Sequence, residues 1–180
     1  LSNSFATLRS HMLLYSFAMS LGVRQLLKFV DSSSKVESME RAFKSLTGGT
    51  MNAADMMRSL QEATDGTMSK FDLFQQANNA MILGVTDSAE TMSELFDAAQ
   101  RLGNALGKDT KSSVESLITG IGRQSRLMLD NIGIIVKADE AYEAFAIKVG
   151  ISVDKLSEAD KKQAFFNATL ESAREKLKGL

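Results

Sequence analysis

The chain has 180 residues, and 21 Lys and Arg against 22 Asp and Glu leave a net charge of −1, which excludes a chain-wide field that would draw DNA, RNA or anionic lipid. It has no cysteine, which excludes disulfides and thiolate metal sites, and no proline, where an average chain of this length has roughly nine. Hydrophobic residues at 44% and charged residues at 24% exclude bulk disorder, and the missing proline beside abundant Ala, Leu, Met, Glu and Lys points to an all-α fold.

Residues 2–46 read as one long helix or two end to end. Phe5, Leu8, Met12, Tyr15 and Met19 follow the alternating three- and four-residue spacing of a coiled-coil seam, and Val36, Met39, Phe43 and Leu46 resume it. Between them the opposite side is apolar too, through Leu13, Leu14, Phe17, Leu21, Leu27 and Phe29, and a helix apolar all round requires burial by protein or lipid. The uncharged run His11–Val23 holds 13 residues between Arg9 and Arg24, with Lys28 beyond, where a spanning helix needs about 20. The arm therefore reads as a packing or assembly helix rather than an ordinary membrane anchor, and no small-residue cleavage site marks it as a signal peptide. A break is expected at Ser32–Ser34, whose hydroxyls can bond local backbone. Gly48 and Gly49 end the arm, so the expected division is a helical arm at 1–47 and a compact helical domain at 48–180. Because the sequence begins at Leu1, the expectation is a piece of a longer or processed chain.

Thr50 or Asn52 caps a helix over about 51–64 that buries Ala53, Met56, Met57 and Leu60, and Asp65-Gly66 turns the chain. Thr67 or Ser69 opens the next, with Phe71, Phe74, Ala77 and Met81 on one face and Gly84 as the closing glycine. Thr86 or Asp87 caps the clearest helix, striped by Met92, Leu95, Phe96, Ala99, Leu102 and Leu106 and stopped at Gly107. Gly103 inside it costs about 1 kcal/mol relative to Ala, which implies a close helix contact. Asp109 or Thr110 caps a helix with Val114, Leu117, Ile118 and Ile121 inward and an end weakened by Gly120 and Gly122. Leu127–Leu129 make one more apolar turn, Asp130-Asn131 resets the chain, and the β-branched Ile132, Ile134, Ile135 and Val136 suit a short extended piece. Asp139 caps a helix burying Tyr142, Phe145, Ala146 and Val149 up to Gly150. Ser157 and Asp160 form a capping-box start for the last helix, which turns Phe166, Leu170, Ala173 and Leu177 inward. The whole reads as a long N-terminal helical arm followed by a compact bundle of about five to six short helices, without the repeat of roughly 20–50 residues that marks a solenoid.

Little in the chain suits covalent chemistry. His11 is the one histidine, so neither a histidine triad nor a multi-histidine metal site can form, and it reads as a helix-surface or core residue. Glu171 and Glu175 lie one helical turn apart and could face a metal, but without a histidine or a second acidic helix motif they read as a solvated face. Gly120-x-Gly122 before Arg123 hints at a phosphate loop. It lacks the Lys-Ser/Thr ending and the preceding strand, so the glycines read as a helix end passing close to a neighbour. Arg123, Gln124, Ser125 and Arg126 form the densest polar cluster: exposed helix residues, hydrogen bonders that fix the joint, or contacts to a partner. No catalytic, cofactor-binding or metal-ligating residue is assigned, no cofactor is expected, and the chain is not expected to be an enzyme.

The segments SLQEATDGTMS at 59–69, QQANNAMILG at 75–84, GIGRQSRLMLDNIGI at 120–134 and LSEADKKQAFFNA at 156–168 follow one another in an order that resembles a helical domain of tail tape measure proteins from tailed bacteriophages. The likeness covers most of the chain and lies in the order of the segments rather than in any single motif. It implies a virion structural role: such proteins run along the tail-tube lumen, set tail length and leave when DNA is ejected. Implied partners are further copies of the chain, tail-tube and distal tail or baseplate proteins and tail assembly chaperones, with no specific nucleic acid. The implied location is the phage tail, and the host cytoplasm during assembly. Candidate assembly contacts are Phe5, Leu8, Met12, Tyr15, Phe17, Met19 and Leu21 on the arm, with Arg123 and Arg126 in the joint. The alternative is a membrane-active domain whose arm inserts into the host membrane during ejection.

Overall fold

The computed structural model describes residues 33–49 and 52–180, and the chain divides into two compact units, Leu1–Ser38 and Met39–Leu180. The assembly contacts expected at Phe5, Leu8, Met12, Tyr15, Phe17, Met19 and Leu21 lie outside the described residues, as does Thr50. Helix α1 is described over residues 33–46, and the expected break at Ser32–Ser34 borders residues outside the described range. The expected domain boundary at 47/48 falls inside the second unit.

The second unit is all helix. After α1 come α2 (Ala53–Ala63), α3 (Lys70–Ile82), α4 (Ala89–Ala105), α5 (Thr110–Gly122), α6 (Arg126–Asp130), α7 (Ala138–Val149), the 3-10 turn η1 (Val153–Lys155) and α8 (Glu158–Leu177). The described part of 48–180 thus holds seven α-helices rather than five to six, because the apolar turn at 126–130 closes as a helix of its own, and α4 and α8 are not short. No strand occurs among the described residues: 134–137, expected as a short extended piece, carry no regular secondary structure.

The N-termini follow side-chain chemistry. Asn52, Ser69, Asp109 and Ser157 each accept backbone N–H groups of the helix they precede. At Ser157 the Asp160 carboxylate bonds back to complete a capping box. Two expected caps are corrected. Ser88, not Thr86 or Asp87, caps α4, while the Thr86 hydroxyl accepts the Ser88 N–H. Lys137 stands at the cap of α7 and its side chain accepts no backbone N–H of that helix, and Asp139 lies in the first turn, where a negative charge favours the helix dipole.

The core is centred on α4 and α5. Met92, Leu95, Phe96, Ala99 and Leu102 of α4 meet Val114, Leu117, Ile118 and Ile121 of α5, all buried as their spacing predicts. Leu106 instead is 52% exposed, because it sits at the C-cap beyond the last packed turn. Helix α2 packs on α3 and α4, and α3 packs on α5. Helix α3 buries Leu73, Phe74, Gln76, Ala77, Asn78 and Ala80 against α2 and α5, while Phe71 and Met81 of the expected stripe are only half-buried. The Phe43 and Phe74 rings meet at 5.7 Å, and the Asn78 amide donates to the Met39 carbonyl at 3.1 Å. Helix α8 packs on α4, α5 and α7: Ala173 is buried as expected, but Phe165 and Thr169 are buried in place of Phe166 and Leu170, which with Leu177 are half-buried.

Candidate functional site

Residues 120–142, which contain the densest polar cluster, form the joint between α5 and α7. The backbone reverses at Gln124, which holds φ +51°, in the left-handed region. The Ser125 amide bonds to the Gly120 carbonyl at 2.8 Å and the Gln124 amide to the Ile121 carbonyl at 3.1 Å, which satisfies the last carbonyls of α5. The same pattern closes α2 at Asp65, α3 at Gly84, α4 at Gly107 and α6 at Gly133. Gly133 thus makes the reversal assigned from sequence to Asp130-Asn131; Asp130 is the last residue of α6 and Asn131 its C-cap.

Asp65 and Gln124 are the positive-φ residues other than glycine among those described, and both use their side chains across the fold. The Gln100 amide, 4% exposed, donates to the Asp65 carboxylate at 2.6 Å. The Tyr142 hydroxyl of α7 donates to Gln124 Oε1 at 2.8 Å. A left-handed non-glycine costs about 1–2 kcal/mol, so at both turns a tertiary hydrogen bond offsets backbone strain.

The joint glycines are close-approach residues, as expected. A Cβ on Gly120 would lie 2.5 Å from Leu129 Cδ2 on α6, and one on Gly122 would lie 2.6 Å from Leu83 Cβ at the end of α3. Gly103 stands likewise against Ser113, whose Cβ would be 2.7 Å away. Arg123 caps the C-terminus of α5 and Arg126 opens α6; both are exposed, and Leu127 beside them is 82% exposed. The joint therefore exposes two arginines and one leucine within five residues. Gln124 and Tyr142 are the residues that sequence reasoning missed as a pair, since nothing local marks a hydrogen bond across 18 positions.

Elsewhere, an open groove of about 470 Å³ runs between α7 and α8, lined among others by Ala141, Ala144, Phe145, Ala164, Ala168 and Glu171. Its charged Lys137 and Glu140 pair with each other at 2.8 Å rather than converging on a ligand position. Glu175 pairs with Lys178 instead of joining Glu171. Among the described residues no group of three or more His, Cys, Asp or Glu could hold a metal ion, and no helix is long and apolar enough to cross a membrane. Asp72 of α3 meets Lys111 of α5 at 2.7 Å. Partial burial alone would raise the Asp72 carboxyl, but hydrogen bonds from Lys111 and Ser69 outweigh it and hold the carboxyl below its usual range. No protein-family model matches the chain, and no solved structure matches it.

Proposed function

We propose that the chain is a structural domain of a phage tail tape measure protein, working through helix–helix contacts in tail assembly, length determination and genome delivery. The observation that carries this reading is the order of segments from SLQEATDGTMS through GIGRQSRLMLDNIGI to LSEADKKQAFFNA. The proline-free, all-helical second unit and the ten methionines of the whole chain support it, because flexible thioether side chains suit surfaces that must repack. The arm, apolar on both sides in sequence, is the proposed self-association element, and Arg123, Arg126 and Leu127 the proposed contact to other tail components. Light scattering of 1–180 beside 39–180 tests the first part. The full chain is expected to associate and the shorter one to remain a monomer; two monomers at high concentration would remove the arm's assembly role. The gene's position tests the family: it is expected between tail-tube and chaperone genes upstream and distal tail genes downstream, and a location outside any tail cluster would overturn the reading.

A further inference from the structure

Helix α7 is shallowly seated. Of its 12 residues Ala146 alone is buried, where α5 buries eight of 13. Ala138, Ala141, Tyr142 and Phe145 are half-buried, and Ile147 is 80% exposed. This corrects the expectation that Tyr142, Phe145 and Val149 join the core; Val149 is itself 47% exposed. The helix packs on α8 and η1, and the groove described above keeps its seam with α8 open. The left-handed Gly150 ends it, and the exposed Lys137 precedes it, with Ile134 and Val136 buried further back. Its side-chain hydrogen bond to the rest of the bundle runs from Tyr142 to Gln124.

Segments with few buried apolar contacts open locally at free energies well below global unfolding. We infer that α7 is a flap that swings away from α8 while α2–α6 and α8 stay folded, turning about Lys137 and Gly150 because Ile134 and Val136 just before it stay buried in the core, with Tyr142–Gln124 as its latch. The residue choice at 124 supports the latch. Five equivalent turns among the described residues, at Gly48, Gly84, Gly107, Gly133 and Gly150, use glycine, which adopts the left-handed conformation without strain. Glycine would serve the turn at 124 equally well but could not accept the tyrosine hydroxyl. Opening bares Ala146 and Ala164, buried in the closed form, and widens the exposure of the half-buried Tyr142, Phe145 and Ala168.

Native-state hydrogen exchange on the full chain, read by mass spectrometry, tests this. The α7 amides are expected to exchange at least about tenfold faster than those of α4 and α5. Tyr142→Phe and Gln124→Gly are each expected to speed α7 by a further factor of about five, the worth of one neutral hydrogen bond, with α4 and α5 unchanged. Gln124→Gly separates latch from turn, since it relieves the backbone while removing the acceptor. Exchange of α7 together with α4 and α5 in one step would overturn the flap. Variants that move every helix equally, or none, would overturn the latch.

Discussion

Leu129 of α6 fills the space that Gly120 of α5 leaves open. A Cβ on Gly120 would lie 2.5 Å from Leu129 Cδ2, 2.8 Å from its Cγ and 3.3 Å from its backbone nitrogen, and both residues are buried. Alanine favours a helix interior over glycine by about 1 kcal/mol, but overpacking costs about 1–3 kcal/mol, so Gly120→Ala is expected to destabilise by up to about 2 kcal/mol. Leu129→Ala is expected to cost about 2–5 kcal/mol. Because both changes act on one space, the double variant should lose clearly less than the sum in urea unfolding.

Gly122 gives a contrasting case. Its nearest neighbour would be Leu83 Cβ, an atom that no rotamer change removes. Gly122→Ala should therefore destabilise by about 1–3 kcal/mol, and adding Leu83→Ala should give only partial relief, since that alanine removes Cδ1 at 2.9 Å and Cγ at 3.2 Å but keeps the Cβ. Thermal or urea melts of the two single variants and the double variant check this. Relief as large as that expected for the Gly120–Leu129 pair would contradict the contact.

Asp65 should behave as a residue held by its side chain. Asp65→Gly removes a left-handed strain of about 1 kcal/mol or slightly more, but leaves the buried Gln100 amide without its acceptor, at a cost of about 1–3 kcal/mol. The expected net effect is a loss. Asn tolerates the left-handed region and keeps a carbonyl acceptor, so Asp65→Asn should stay close to the parent. Equilibrium unfolding of both variants at neutral pH compares them directly.

The Asp72–Lys111 link between α3 and α5 has a pH signature. The Asp72 carboxyl is held below its ordinary 3.8 in the fold, since the bonds from Lys111 and Ser69 outweigh its burial. A depressed carboxylate contributes its full stability above the unfolded-state value and loses it as pH falls through the folded one. The melting temperature of the parent should thus exceed that of Asp72→Asn at pH 6–7, and the gap should close on acidification below about pH 4. A gap that widens there would rule out the link. Salt should narrow it, because Lys111 is half in solvent.

Much of the fold was legible because helix signals here are local. Apolar spacing located the buried faces of α2, α4 and α5, and Asn52, Ser69, Asp109 and Ser157 announced their helices by side-chain type. The close approaches at Gly103, Gly120 and Gly122 were legible because a glycine inside or at the end of a helix needs a reason. What escaped depends on partners distant in sequence. Asp65 and Gln124 hold left-handed turns through bonds to Gln100 and Tyr142, and no local pattern marks them. The shallow seat of α7 escaped for the converse reason. Its apolar residues recur at helical spacing, yet α8 and η1 are the elements that pack against it, leaving Ile147 and Val149 in solvent. Arg123 and Arg126 were found as a cluster, and the structure sets them on an exposed corner.

The order in which the helices meet has a kinetic consequence. α2 closes on α3 and α4, α3 on α5, α4 on α5 and α5 on α6, all neighbours or next neighbours along the chain; α8 alone reaches back to α4 and α5. Contacts between near neighbours need little loop closure, so such a chain should gather α2 through α6 rapidly and in sequence as it leaves the ribosome. The slow step then falls to the last helix. A chain stopped short of α8 would hold a nearly complete bundle with the seats of Phe165 and Ala173 still open.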